Sequence, residues 1–278
     1  MHPIPYSRSE IQTRKTTVIE HKIPMDGTYL HAIQFGNGAK NMVMISGVSL
    51  LGLIGGGLTV ANTYEEFIAD YTVYLFDRKK VVPEGYRVED MAEDVYRGIQ
   101  FLRVSDACLY GVSQGGMIAQ VIAAEHPETV KKLCLCSTQC RATERAKASS
   151  ALWSTLARDN NVVELNRAFF RIVYSPAFQA ENGKALSVVE KLGGTEDCRR
   201  LSILSDAFGR FDYADKVGQI RCPALVIGDE NDAVLGAEAS RELAERLGCE
   251  IFMYDEYSHA VYDEAPDIKE RIYAFFQG

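Results

Sequence analysis

Proline and tryptophan are scarce in this sequence, and positively charged residues are fewer than negatively charged ones. Eight Pro and one Trp occur among 278 residues, and with 22 Gly the composition is far from that of a collagen-like or disordered chain. The 30 Lys and Arg are outnumbered by 38 Asp and Glu, which gives a formal net charge of −8. Nucleic-acid binding depends on clustered basic side chains that neutralise phosphates, so we expect no nucleic-acid partner.

Targeting signals and uninterrupted apolar runs are also missing. The first ten residues contain no apolar segment of the kind found in a signal peptide. The uncharged stretch at residues 42–60 is interrupted by five glycines, which disfavours a membrane-spanning helix. We therefore expect a cytoplasmic protein that makes no contact with a membrane.

The seven cysteines are odd in number and scattered, which favours reduced thiols over a disulfide framework. Cys134, Cys136 and Cys140 are close enough in sequence to be considered as metal ligands. Cys134 and Cys136 alternate within an apolar run, however, and neither paired histidines nor a second cysteine pair accompanies them. Packing in the core is therefore the favoured interpretation, and we predict no metal and no cofactor. A homo-oligomer is compatible with this composition.

Short apolar runs alternate with helical patterns along most of the chain. A turn signal at Asp26-Gly27 separates the first two runs, which predicts a β-hairpin. The later runs show no polar alternation, as is typical of strands covered on both faces of a parallel sheet. The runs lie at residues 16–20, 29–33, 42–45, 72–76, 107–110, 133–136, 224–227 and 251–254.

This alternation is interrupted once, between residues 139 and 210, where only helix-like segments occur. These segments lie at residues 142–158, 162–173, 184–192 and 197–208. A helical insertion in a parallel α/β domain is typical of a cap over an active site. We predict an α/β core formed by residues 1–138 and 211–278, with an all-helical cap at 139–210 inserted after the sixth strand.

The most informative motif is Gly111-Val-Ser113-Gln-Gly115, which directly follows an apolar run and directly precedes a helical pattern. Gly-x-Ser-x-Gly between a strand and a helix is the pattern of a nucleophile elbow, a turn so tight that the serine backbone is strained. Side chains at positions 111 and 115 would strike the neighbouring strand or helix. The Gln114 N–H and the helix dipole would favour negative charge that develops beside Ser113.

With this motif the chain resembles the α/β-hydrolase superfamily over nearly its whole length. In that superfamily the triad runs Ser, acid, His along the sequence. Residues 225–234 are similar to its strand–Gly–x–x–Asp turn, and residues 257–266 are similar to its histidine loop. The resemblance implies a triad of Ser113, Asp232 and His259, with Asp229 as the alternative acid. The remaining histidines lie in the tail, the hairpin and the end of the elbow helix: His2, His21, His31 and His126.

The resemblance also implies an oxyanion hole, a pair of backbone N–H groups that bind the substrate's developing oxyanion. The loop that supplies the first donor often has the sequence His-Gly-x, and here it is Ser46-Gly47-Val48, so serine replaces the usual histidine. Because the donor is a backbone group, this replacement does not remove it. By match, the Val48 N–H pairs with the Gln114 N–H.

These observations predict a carboxylesterase-like serine hydrolase that cleaves an ester, thioester or lactone of a small, largely apolar molecule. Several aromatic residues of the predicted cap would pack in its core or line the roof of the pocket: Trp153, Phe169, Phe170, Tyr174, Phe178 and Phe208. Related families offer alternatives on the same fold, namely carbon–carbon bond hydrolysis and cofactor-free haloperoxidase or perhydrolase chemistry. A non-catalytic small-molecule receptor is a further alternative.

Overall fold

One mostly parallel sheet runs through the computed structural model, which describes residues 4–13, 15–53 and 55–278. Its strands within these residues are β1 Ser7–Gln12, β2 Thr17–Met25, β3 Thr28–Phe35, β4 Lys40–Ile45, β5 Tyr71–Lys79, β6 Ala107–Val112, β7 Val130–Cys136, β8 Ala224–Asp229 and β9 Glu250–Tyr254. Their spatial order is β1-β2-β3-β5-β4-β6-β7-β8-β9. The strands from β4 to β9 are parallel to one another, whereas β1, β2 and β3 pair antiparallel at one edge.

The predicted hairpin is formed by β2 and β3, in which Met25 pairs with Thr28 across the turn. Asp26 and Gly27 both have positive φ, +40° and +82°. This is the conformation that a two-residue hairpin turn requires, and Asp-Gly tolerates it well.

The described residues contain one strand more than the sequence predicts, namely β1. The predicted cap at residues 139–210 follows the seventh strand in the chain, not the sixth, because β1 precedes the predicted hairpin. All six residues of β1 are exposed, and only Ile11 is a large apolar residue. A strand with no buried face has no alternation of apolar and polar residues, so the pattern that reveals the other strands is missing here.

Helices cover both faces of the sheet. In the described residues they are α1 Gly57–Thr63, α2 Val88–Phe101, α3 Gln114–Glu125, α4 Glu144–Arg158, α5 Val162–Val173, α6 Pro176–Val189, α7 Thr195–Arg210, α8 Ala237–Leu247, α9 Val261–Glu264 and α10 Ile268–Gln277. Helices α2, α3 and α8 pack into the buried core on one face. Helices α1 and α10 pack into the core on the other. None of the helices in the described part of the chain has the length and apolarity needed to cross a bilayer.

Four of these helices, α4 to α7, follow one another between β7 and β8. The third begins at Pro176, earlier than the predicted segment at 184–192, because Ser175 caps its first turn by accepting a hydrogen bond from the Phe178 N–H at 3.2 Å. Trp153 of α4 and Phe208 of α7 are buried where these two helices pack together. The division of the chain into a core and a cap at 139 and 210 stays a prediction.

Candidate active site

The elbow is a sharp turn between β6 and α3. Ser113 adopts φ +52° and ψ −122°, a strained conformation for a residue with a side chain. A Cβ atom at Gly115 would lie 2.1 Å from the Ile45 carbonyl oxygen, and one at Gly111 would lie 2.7 Å from the Gly115 oxygen. The absence of side chains at these two positions lets α3 fold back against β4 and β6, as the sequence predicts.

Ser113, His259 and Asp232 form a continuous hydrogen-bonded chain. The His259 Nε2 atom lies 3.0 Å from Ser113 Oγ, and its Nδ1 atom lies 2.9 Å from Asp232 Oδ2. The exposed fractions of the three residues are 4%, 2% and 4%, respectively, so the chain is shielded from solvent. An imidazole placed between a hydroxyl and a carboxylate can accept the hydroxyl proton while the carboxylate fixes its tautomer.

The two candidate acids have different partners. Besides His259, Asp232 accepts hydrogen bonds from the Val234 and Leu235 N–H groups, both at 2.9 Å, through its other oxygen. Asp229 instead accepts from the Asn231 N–H at 2.7 Å and the Tyr257 N–H at 3.0 Å. Asp229 therefore ties the turn after β8 to the loop that carries His259, and only Asp232 is placed against the imidazole.

The predicted oxyanion loop lies beside the elbow. A Cβ atom at Gly47 would lie 3.3 Å from Ser113 Cβ, so a side chain at this position would crowd the serine. Among the described residues, no hydrogen-bond acceptor binds the Val48 N–H or the Gln114 N–H. The Gln114 N–H lies in the first turn of α3, where helical N–H groups have no partner within the helix.

Arg78, at the carboxyl end of β5, holds this loop from behind. Its guanidinium is buried and donates to the carbonyl oxygens of Ser46 and Gly47, the latter through Nη2 at 2.6 Å. The neighbouring Asp77 accepts the Arg78 backbone N–H at 2.7 Å.

The Asp77 carboxylate also forms an ion pair with an arginine side chain from the predicted cap. Arg200 of α7 donates through Nη2 to Asp77 Oδ1 at 3.1 Å and to the Arg78 carbonyl oxygen at 3.0 Å. Burial raises the pKa of the Asp77 carboxyl, but the Arg200 and Arg78 charges outweigh burial and lower the pKa to about 2. The buried carboxylate is therefore ionised over the physiological pH range.

Three further contacts connect helices α4 to α7 with the segments that carry the predicted triad. The Gln114 side chain donates to the Leu204 carbonyl oxygen of α7 at 2.7 Å. The Ala260 N–H, next to His259, donates to the Val173 carbonyl oxygen at the end of α5 at 2.9 Å. Thr143, which caps α4, donates to the Leu235 carbonyl oxygen near Asp232 at 2.7 Å. Each segment that carries a residue of the predicted triad is thus hydrogen-bonded to helices α4 to α7 or to the cap residue of α4.

A small apolar cavity of about 140 Å³ lies between the continuation of the oxyanion loop and α5 to α7. Its lining residues are Ser49, Leu50, Leu51, Gly52, Leu165, Asn166, Phe169, Phe170, Val189 and Leu201. Phe169 and Phe170, two of the aromatic residues expected either in the cap core or at the roof of a pocket, are among them. Trp153 and Phe208 instead pack in the interior.

Sequence reasoning missed the roles of Asp77, Arg78 and Arg200. The adjacent Lys79 pairs through its ammonium with the buried Asp94 at 2.8 Å. The signal for Arg78 was its position just beyond the apolar run at residues 72–76, at the sheet edge where the other site residues lie. Cys134 and Cys136 are buried within β7. The described residues contain no cluster of three or more His, Cys, Asp or Glu that could hold a metal ion.

Comparison with known proteins places the chain among hydrolases. The model of the family described as serine aminopeptidase, S33, matches residues 84–266. A relative from Rhizobium rhizogenes, described as "putative carbamate hydrolase RutD", is 25% identical over 232 residues, 80% of this chain and 87% of that protein. A protein of the same description from Cronobacter sakazakii is 27% identical over 222 residues, 76% of this chain and 80% of that protein.

Solved structures of low sequence identity share the fold. The enol-lactonase from Burkholderia xenovorans LB400 matches with a TM-score of 0.80 at 20% identity, covering 91% of this chain and 98% of that chain. The α/β hydrolase MGS-M2, from a Medee basin deep-sea metagenome library, matches with a TM-score of 0.80 at 17% identity, covering 91% and 96%. These matches confirm the predicted fold. Since the family model matches more than half of the chain, the chain belongs to the serine aminopeptidase S33 family of the α/β-hydrolase superfamily.

Proposed function

We propose that the protein is a serine hydrolase that cleaves an ester, thioester or lactone through an acyl-enzyme on Ser113. The observation that carries this proposal is the hydrogen-bonded chain from Ser113 Oγ through His259 to Asp232. The two backbone N–H groups of Val48 and Gln114 beside the serine support it, because an acyl transfer needs donors for the oxyanion of its tetrahedral intermediate.

In the first half of the reaction, Ser113 Oγ attacks the substrate carbonyl carbon while His259 Nε2 takes the hydroxyl proton. The carbonyl oxygen becomes an oxyanion, held by the Val48 and Gln114 N–H groups. The bond to the leaving alcohol, thiol or lactone oxygen then breaks, and the leaving group receives the proton from His259. In the second half, water attacks the acyl-enzyme by the same route and releases the acid and the free serine.

The apolar cavity beside the oxyanion loop supports a small substrate with an apolar group. Its lining is dominated by leucine and phenylalanine side chains, and its volume of about 140 Å³ accommodates only a few non-hydrogen atoms. Buried apolar surface would bind this part of the substrate, while the triad acts on the carbonyl.

A carbamate is a second candidate substrate. The relatives described as putative carbamate hydrolases align with 80% and 76% of this chain. A carbamate presents the same kind of carbonyl to Ser113 as an ester does, so the proposed chemistry needs no additional group.

The experiment compares the purified chain with its Ser113→Ala variant, using a fluorophosphonate probe and a panel of short p-nitrophenyl esters, thioesters, lactones, carbamates and amino-acid anilides. We expect the probe to label Ser113 and the wild type to hydrolyse esters. The variant should lose about 10⁶-fold in kcat because the nucleophile is gone. Labelling and turnover that persist in Ser113→Ala would refute the proposal. Peroxide-dependent bromination that exceeds hydrolysis would favour haloperoxidase chemistry.

The two candidate acids, Asp232 and Asp229, provide a matched pair of variants that tests which of them orients His259. Asp232→Asn should reduce kcat about 10⁴-fold, because the amide no longer holds the required imidazole tautomer. Asp229→Asn leaves that contact in place, and we expect its kcat to fall by less than about 100-fold. Equal losses in the two variants would contradict the assignment of Asp232.

A further inference from the structure

Among the described residues, the peptide unit between Gly47 and Val48 has one hydrogen-bonded group and one unpaired group. Within these residues, its Gly47 carbonyl oxygen has a partner and its Val48 N–H has none. Arg78 Nη2 donates to the Gly47 carbonyl oxygen at 2.6 Å, and the guanidinium is buried. A trans peptide unit is planar, so its C=O and N–H bonds point in opposite directions. By fixing the Gly47 carbonyl, Arg78 directs the Val48 N–H away from itself. The same arginine also binds the Ser46 carbonyl oxygen, so two successive peptide units of the oxyanion loop depend on one guanidinium.

Arg78 is itself held by a residue from another part of the chain. Arg200 of α7 donates to Asp77 Oδ1 and to the Arg78 carbonyl oxygen through Nη2, and its Nε donates to the Lys79 carbonyl oxygen at 3.3 Å. These three acceptors are consecutive along the end of β5. Arg200 is buried, and its planar fork suits several acceptors at once. A lysine ammonium could pair with Asp77 but could not reproduce this set of bonds.

We propose that Arg200 is a positioning residue for the oxyanion hole and couples α7 to the oxyanion loop through Asp77 and Arg78. Arg200 keeps the end of β5 in place, Asp77 and the strand end keep Arg78 in place, and Arg78 orients the Val48 N–H. Loss of the Arg200 contacts therefore disturbs the Val48 donor without removing any hydrogen bond of Ser113, His259 or Asp232. This inference rests on the proposed hydrolase function, in which the Val48 N–H stabilises the oxyanion.

The neighbouring Arg199 provides the matched control. It lies on the same helix, but it is exposed and pairs with the exposed Glu84 at 3.0 Å. We expect Arg200→Gln to lower kcat for p-nitrophenyl ester hydrolysis 10- to 100-fold with KM changed less than threefold, because the lost interaction acts on the transition state. Affinity for a phenylboronic acid, whose serine adduct is a tetrahedral anion, should fall by a similar factor. Arg199→Gln should change none of these values by more than twofold.

Two variants and one further measurement separate positioning from loss of folding. Arg200→Lys retains the charge and should recover part of the lost kcat. Arg78→Lys should lose at least as much kcat as Arg200→Gln, because it removes a direct contact with the loop. Backbone hydrogen exchange at residues 46–50 should accelerate in Arg200→Gln but not in Arg199→Gln, and this readout does not depend on any substrate.

The outcomes for the two proposals are distinct. A wild-type chain that hydrolyses nothing and escapes the probe would refute the proposed function. An active wild type in which Arg200→Gln and Arg199→Gln have the same kcat and the same exchange rates at residues 46–50 would overturn the coupling alone. A rise in KM with kcat unchanged would also overturn it, since that would place Arg200 in ordinary substrate binding.

Discussion

Two backbone segments meet at the Ser113 hydroxyl, and the fold stabilises them in different ways. The shape of the elbow, residues 111–115, is encoded by adjacent residues: two glycines allow it to pack closely against β4, and the following helix begins at once. The oxyanion loop, residues 46–48, depends on side chains from β5 and α7. The site therefore combines a locally determined half with a half that is shaped by distant contacts.

The largest effect should come from breaking the locally determined half. In Gly115→Ala the new methyl group would lie 2.1 Å from the Ile45 carbonyl oxygen and 2.6 Å from the Ser46 carbonyl oxygen. The elbow or the end of β4 must then move, and we expect kcat/KM for ester hydrolysis to fall about 10³-fold or more. Gly183→Ala is the control. Gly183 is exposed within α6, with no atom within 4 Å of its added Cβ, so this change should stabilise the fold by about 0.5–1 kcal/mol. Wild-type activity in Gly115→Ala would contradict the steric argument.

The same difference explains which parts of the site the sequence could predict. The elbow was predictable because the strand, the two glycines and the helix are adjacent in the chain. Arg78 contacts Gly47 across 31 residues and Arg200 contacts Arg78 across 122, and no local pattern encodes either contact. The parallel strands were predictable from their apolar runs, whereas the exposed β1 has no such run.

The choice between Asp229 and Asp232 as the acid shows the same limit of prediction from sequence. Asp229 and Asp232 occupy one turn, and residue type alone does not distinguish their roles. Their partners differ because the backbone turns between them, so that Asp232 faces His259 and Asp229 faces the N–H groups of Asn231 and Tyr257. Tertiary geometry, not composition, separates the two.

An intermediate effect should come from the ion pair that supports the oxyanion loop. The pKa of Asp77 is lowered from 3.8 to about 2, so the folded state favours its ionised form. A lowered pKa contributes stability that is present above about pH 4 and is lost as the pH falls toward 2. By linkage this contribution is about 2 kcal/mol. Asp77→Asn should therefore be less stable than the wild type at pH 7, and the difference in urea-unfolding free energy should shrink between pH 4 and pH 2.

Glu84→Gln is the control for this pH dependence. It removes the exposed partner of Arg199, and exposed pairs contribute about 0–1 kcal/mol. We expect its urea midpoint to follow that of the wild type at every pH. A stability difference for Asp77→Asn that stays constant down to pH 2 would mean that the Asp77 charge is not what connects β5 to α7.

We expect the smallest effect from a change to the Gln114 side chain. This change separates the contribution of that side chain from the contribution of the backbone N–H of the same residue. Its amide donates to the Leu204 carbonyl oxygen of α7, but the proposed oxyanion donor is the backbone N–H of the same residue. Gln114→Met retains that N–H and approximately the same side-chain volume, so we expect kcat within about threefold of the wild type and a loss of stability of about 1 kcal/mol. Steady-state kinetics and thermal unfolding of the two proteins test this. If kcat instead fell 100-fold, the elbow too would depend on contacts with α7, and the two halves of the site would be held alike.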